Sequence, residues 1–212
     1  GGARVEGAAS AAGAAPGAGG AGVDAGIVAA SGALAALHEV VINPGLGFGT
    51  GLHPTTRGVL QLLQVPHPDG ARGPLVDVGT GSGILAIAAA KLGWGPIFAF
   101  DNDPIALISA RENVEANQVA DIVEVHETDV SGVAAECFVQ ATVLANMTLE
   151  PVAMLVRKLR GVPLLRLVVS GILEGAQEYE LLSVVRECGL SSARRLYEGE
   201  WVSMELLPAA GS

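Results

Sequence analysis

Three glycines at alternate positions, Gly79, Gly81 and Gly83, follow directly on the short apolar run Leu75-Val76-Asp77-Val78. Residues without a Cβ let a turn take dihedrals closed to other side chains and let a ligand lie against bare backbone. The spacing is GxGxG, whereas a dinucleotide turn carries its third glycine one residue later, and Asp77 would sit badly beside a pyrophosphate. An acid ahead of GxGxG suits instead a ligand with an amino group and no phosphates, such as the methionine part of S-adenosylmethionine. Asp101 lies 22 residues after Gly79. There a carboxylate can accept both ribose hydroxyls through charge-assisted bonds of about 1.5 to 3 kcal/mol each. Taken singly, these features also read as a tight turn and, at Asp101 to Asp103, a helix cap. A further cluster runs from Asn43 to Thr56 with four glycines and two prolines, and as composition alone it also reads as a linker.

These residues need a frame that brings strand ends together. From Val41 onward, short β-branched runs alternate with helical patterns, the signal of βαβ units and a mostly parallel sheet. Leu75 to Val78 is a strand, and Ile84, Ile87, Ala88 and Leu92 repeat at helical spacing after the glycine turn. Pro96 to Phe100 forms a second strand, and Asp103 caps a helix that starts at Pro104 and ends near Asn117. Further strands are expected at Val123 to His126, Thr142 to Asn146 and Leu164 to Ser170, with helices at about Pro151 to Arg160 and Glu174 to Glu187. Glu200 to Leu206 alternates in the manner of a late antiparallel strand. In such a sheet, ligands sit beyond the carboxyl ends of the strands, which is where the glycines and acids fall.

Half of the 212 residues are apolar, enough for one domain with a sizeable core plus an extension. The formal net charge of -10 opposes docking along a phosphate backbone, so direct nucleic-acid binding is not expected, and a basic partner is favoured. Cys137 and Cys188 show no metal-ligand spacing, and no metal is expected. A reduced, cytoplasmic setting fits two such cysteines. The most apolar stretch, Ile84 to Phe100, is broken by Lys91, Gly93, Gly95 and Pro96, so no membrane span is expected. Residues 1 to about 37 are roughly two-thirds Gly and Ala and read as a flexible arm or remnant linker, with at most a weak helix near Ile27 to His38. The expected division is therefore an arm at 1–40 and a catalytic domain at 41–208.

The string Gly47-x-Gly49-Thr50-Gly51-x-His53-x-Thr55-Thr56, followed by Asp77-x-Gly79-x-Gly81-x-Gly83, Asp101-x-Asp103-Pro104 and Ala145-Asn146, closely resembles the ribosomal protein L-eleven methyltransferase family (PrmA-type). Ser170-Gly171-Ile172-Leu173 and Glu198-Gly199-Glu200-Trp201 extend the resemblance to about Leu206. It implies an α/β, Rossmann-like, seven-stranded methyltransferase fold. It also implies use of S-adenosylmethionine to methylate amino groups of a protein, most simply a ribosomal protein. Carried over residue by residue, the cofactor contacts fall on Thr56, Asp77, Gly79, Gly81, Asp101 and Asn146, with Phe48 helping to cover the cofactor and Asn146 beside the transferred methyl. His53, followed by Pro54, reads as structural more readily than as catalytic. Family members carry a separate N-terminal domain that grips the ribosomal protein; the Gly/Ala-rich segment stands where the resemblance would put it.

Asn146 is followed by Met147-Thr148-Leu149, not by the Pro-Pro-aromatic run usual where planar nitrogens of bases or glutamine are methylated. That favours a tetrahedral amine whose N–H donates to the Asn146 oxygen. The amine must first lose its proton, which costs about 4.6 kcal/mol for an ordinary lysine at neutral pH and only about 1 for an α-amine. The sequence suggests no dedicated base. Two other readings stay open: an NAD-dependent oxidoreductase on a similar sheet, and an inactive methyltransferase-like binding module.

Overall fold

The alternation of apolar runs and helical repeats produces nine strands and five α-helices among the described residues, which in this computed structural model are 23–27, 38–43, 53–65, 67 and 73–209. The first described elements are β1 (Val23–Ile27), β2 (His38–Ile42) and α1 (Pro54–Gln64). Three βα units follow: β3 (Leu75–Val78) with α2 (Ile84–Lys91), β4 (Ile97–Asp101) with α3 (Pro104–Ala116), and, after β5 (Val123–Glu127), β6 (Thr142–Asn146) with α4 (Leu149–Lys158). The last elements are β7 (Arg166–Leu173), α5 (Ala176–Glu187), β8 (Leu190–Glu198) and β9 (Trp201–Pro208).

Seven strands form one sheet in the order β5-β4-β3-β6-β7-β9-β8. Strands β3 to β7 pair in parallel, and β9 lies antiparallel to both β7 and β8. The expected α/β fold and late antiparallel strand are therefore observed. Every residue of β3 is buried, as are Thr142 to Ala145 of β6, because helices cover both faces of the sheet. The progression β3, β4, β5 runs outward on one side, and β6 then returns to the other side of β3. A crevice must open at the carboxyl ends of these two neighbours, where the strand order reverses.

Several helix ends follow from single residues. Asp103 caps α3 by accepting from the Ile105 N–H at 2.9 Å, with Pro104 in the first turn, as expected from sequence. Helix α1 is held at both ends: His53 caps its start, and the buried Arg166 closes its other end by donating to Leu63 O at 3.2 Å and Val65 O at 2.8 Å. The same guanidinium pairs with the buried Glu205 of β9 at 3.1 Å and lies 5.3 Å from the centre of the Trp94 ring. At Gly58 a Cβ would collide with Ser203 Oγ, so only glycine lets α1 approach β9 this closely.

Two features differ from the sequence reading. The segment read as an arm contains β1, which pairs antiparallel with β2, and the two residues bounding the expected weak helix, Ile27 and His38, are both in strands. The residues between them lie outside the described residues. The edge strand β8 has no counterpart in the expected elements, because its exposed Ser191, Ala193, Arg194 and Arg195 carry no apolar alternation. Among the described residues, no helix is long and apolar enough to cross a membrane, and no group of three or more His, Cys, Asp or Glu side chains could hold a metal ion.

Candidate functional site

The turn between β3 and α2 has positive φ at all three glycines, 74° at Gly79, 56° at Gly81 and 82° at Gly83. The N–H groups of Gly79 and Thr80 both donate to Phe100 O, at 2.8 and 2.9 Å, tying the turn to the end of β4. A Cβ at Gly79 would stand 2.5 Å from Met147 Sδ. The absent side chain thus leaves bare backbone facing a cleft that runs across the ends of β3, β4 and β6.

The cleft has two lobes that share Gly79, Asp101, Asn102 and Met147. One lobe extends over Thr128, Asp129 and Val130 beyond β5 to Pro151 and Met154 of α4. The other extends past Gly81 and the first turn of α2, at Ile84 and Leu85, to Thr56 and Asn146. Asp101 lies between them. Its Oδ2 accepts from the Gly81 N–H at 2.8 Å and its Oδ1 from the Asp103 N–H at 3.0 Å. Each carboxylate oxygen has two lone pairs, so each retains capacity for one further donor.

Asn146 ends β6 and its Nδ2 lies 3.4 Å from Thr56 Oγ1, a long contact joining residues 90 positions apart. With Nδ2 directed at Thr56, Oδ1 is the atom left to accept. The Asn146-Met147 segment is held from behind by β7. At Gly171, with φ +85°, a Cβ would collide with Met147 O, and a β-bulge interrupts the β7–β9 pairing between Val169 and Ile172. This close approach accounts for a glycine in the Ser170-Gly171 string. His53 Nδ1 lies 2.8 Å from Thr55 Oγ1, and its ring meets Trp201 edge-on with centroids 5.1 Å apart, so its observed contacts are structural.

Asp77 stands apart from the other expected residues. It is fully buried beneath the turn and does not line either lobe. The Thr80 hydroxyl donates to its Oδ2 at 2.6 Å, while Oδ1 has no partner. Burial pushes its carboxyl up to about 6; the Thr80 hydroxyl and the Ala86 N–H oppose that shift, and the charge of Asp101 adds to it. Any influence of Asp77 on a ligand acts through the turn. Phe48 lies outside the described residues.

Thr56, Gly79, Gly81, Asp101 and Asn146 are thus brought to one cleft. Sequence reading missed Thr128, Asp129, Met147 and Met154. Asp129 had a signal: it comes two residues after the end of a parallel strand, as Asp101 ends one. The Ser131 hydroxyl and the Gly132 N–H hold its carboxyl below its ordinary value. The two methionines carry no spacing signal, since apolar residues after β6 and on α4 read as core.

Residues 32–207 match the family model described as ribosomal protein L11 methyltransferase (PrmA). The chain belongs to the ribosomal protein L11 methyltransferase family. A relative so named from Chloroflexus aurantiacus is 40% identical over 189 residues, covering 78% of this chain and 57% of that protein. Another from Myxococcus xanthus is 38% identical, covering 82% of this chain and 59% of that protein. The chain therefore spans a little over half the length of these relatives. The crystal structure of a ribosomal protein L11 methylase from Lactobacillus delbrueckii subsp. bulgaricus superposes with a TM-score of 0.68 at 26% identity, covering 79% of this chain and 84% of that one. An O-methyltransferase family protein from Burkholderia thailandensis, at 14% identity and a TM-score of 0.56 over 76% of this chain and 62% of that one, shares the fold alone. Thr56, Gly171 and Trp201 each reinforce the Asn146 end of the cleft or the helix beside it.

Proposed function

We propose that this member of the L11 methyltransferase family binds S-adenosylmethionine across the cleft and transfers its methyl to an amino group of a protein. The relatives' names make a ribosomal protein the first acceptor to test. The unit that carries the activity is read as residues 41–208. The observation that carries the proposal is the placement of Asn146 against Thr56 at the switch point, with a bare glycine turn and a strand-end carboxylate in the same cleft.

The residues present fit that cofactor. Asp101 keeps one acceptor site on each oxygen for a vicinal diol, and the absence of a Cβ at Gly79 lets Met147 close against the turn along the cleft. The first turn of α2 presents N–H groups toward a carboxylate. Thr128, Val130, Met147 and Met154 offer an apolar, polarizable slot for a flat base. When bound, S-adenosylmethionine supplies a methyl group on a positively charged sulfur, ready for in-line displacement. Asn146 Oδ1 orients the acceptor amine by accepting one of its N–H bonds, leaving the lone pair directed at the methyl. Neither Thr56 nor Asn146 takes up a proton at neutral pH, so the amine sheds its proton to solvent before it reacts. Asp77 disfavours the dinucleotide reading, because a carboxylate buried beneath the turn sets an unfavourable field, through the turn, for a pyrophosphate laid on it.

Calorimetric titration of the purified chain with S-adenosylmethionine, its demethylated product and NADH tests the cofactor. Binding of the first two with no heat from NADH is expected; NADH alone would restore the oxidoreductase reading. Mass spectrometry of recombinant ribosomal protein L11 after incubation with chain and cofactor tests the acceptor. Cofactor binding with no methylated amine on that or any other basic ribosomal protein would reduce the chain to a binding module.

A further inference from the structure

Asn113 of helix α3 and Asn117, which caps its end four residues on, are both buried, and both side chains pair with the backbone of the segment formed by β2 and the residue after it. Asn117 accepts from the Val41 N–H at 3.0 Å and donates to Val41 O at 2.6 Å. Asn113 accepts from the Asn43 N–H at 2.8 Å and donates to Asn43 O at 3.3 Å. A side-chain amide has the donor and acceptor of a peptide unit. Four helical residues rise about 6.0 Å and two strand residues about 6.6 Å, so asparagines at i and i+4 match alternate residues of a strand. The helix thereby acts as a surrogate neighbouring strand.

Asn117 Nδ2 makes its further bond back to Asn113 O, at 2.8 Å, so only Asn113 reaches beyond the helix and this strand. Asn113 Nδ2 also donates, at 2.9 Å, to Ser82 O in the glycine turn. That carbonyl belongs to the peptide linking Ser82 to Gly83, whose own N–H returns to Thr80 O at 2.9 Å. Holding the carbonyl adds a restraint on the plane of this peptide, in a turn that is already tied to Phe100 and Asp101 and whose glycines take dihedrals closed to other residues. Gly81, next to it, donates to Asp101.

We propose that Asn113 is a positioning residue for cofactor binding: through Ser82 it holds the turn in its ligand-ready shape and joins it to the strand that precedes the glycine-rich segment. The inference rests on the cofactor reading above, but it concerns a residue that touches neither lobe of the cleft.

Asn117 supplies the internal control, since it makes the same kind of strand contact without reaching the turn. Asn113→Ala and the isosteric Asn113→Asp should weaken S-adenosylmethionine binding at least fivefold by calorimetry and raise its KM to match, with kcat at saturating cofactor within twofold of the parent. Asn117→Ala should bind within twofold of the parent even if its melting temperature falls as far. Amide hydrogen exchange, which needs no cofactor, should quicken at Gly81 and Gly83 in the Asn113 variants and not in Asn117→Ala. Unchanged affinity and exchange in the Asn113 variants, or an equal loss in Asn117→Ala, would overturn the proposal. If the parent chain itself binds no S-adenosylmethionine, the functional reading falls and the cofactor role of Asn113 with it, whereas the exchange comparison still decides whether it orders the turn.

Discussion

At the scale of single residues, the site separates groups that grip the cofactor from groups that serve the transfer. Asp101 has one spare acceptor on each oxygen and sits between the two lobes, so Asp101→Ala should weaken cofactor binding by at least about ten- to a hundredfold, the loss of one charge-assisted bond. Asn146→Ala should lower kcat while leaving cofactor affinity within a few fold. Equal effects of the two substitutions on kcat and KM, measured by steady-state kinetics with radiolabelled methyl donor, would remove the division of roles. Asp77 makes a prediction of another kind. Its carboxyl titrates near 6 in the fold against an ordinary 3.8, so the fold favours the protonated form. The penalty is absent below pH 4, grows between 4 and 6, and stands at about 3 kcal/mol above that. Asp77→Asn should therefore melt several degrees higher than the parent at pH 8, with the gap closing as pH falls to 4; a gap independent of pH would refute the assignment. Both acids were legible in the sequence because each borders a strand end. That Asp77 lies under the turn was not, since motif spacing carries no information about which side of the backbone a side chain occupies.

At the scale of elements, α1 shows how the acceptor end is kept in place. Its first turn carries Thr56, its middle packs through Gly58, and its last carbonyls are closed by Arg166. Arg166→Met should cost about 3 to 5 kcal/mol in urea unfolding, because it leaves Glu205 buried with only the more distant Arg194 at 3.5 Å. Pairing it with Glu205→Leu should recover much of that loss, and no recovery would mean that the helix carbonyls, not the carboxylate, carry the effect. The central strands β3, β4 and β6 were legible because burial on both faces demands continuous apolar runs. The edge strand β8 escaped because it has no such demand. The asparagine pair at the end of α3 escaped for a related reason: amides at helical spacing look like a solvated face until the strand they pair with is in view.

At the scale of the whole molecule, acidity sets the kind of acceptor the surface attracts. A chain with a formal charge of -10 steers a basic protein toward it and does so less well as salt screens the field. Raising sodium chloride from about 20 to 300 mM should lower kcat/KM for a basic ribosomal protein severalfold while leaving that for a small amine nearly constant; parallel curves would assign the salt effect to the catalytic step. The sheet order has a temporal meaning as well. Strand β9 comes last in chain order among the described elements, yet it lies inside the sheet with β7 and β8 on either side. During synthesis, two strand edges and the cation of Arg166 stay uncovered until residues 201–208 leave the exit tunnel. For that interval the nascent chain exposes the template for pairing with a stranger that its own final strand later occupies.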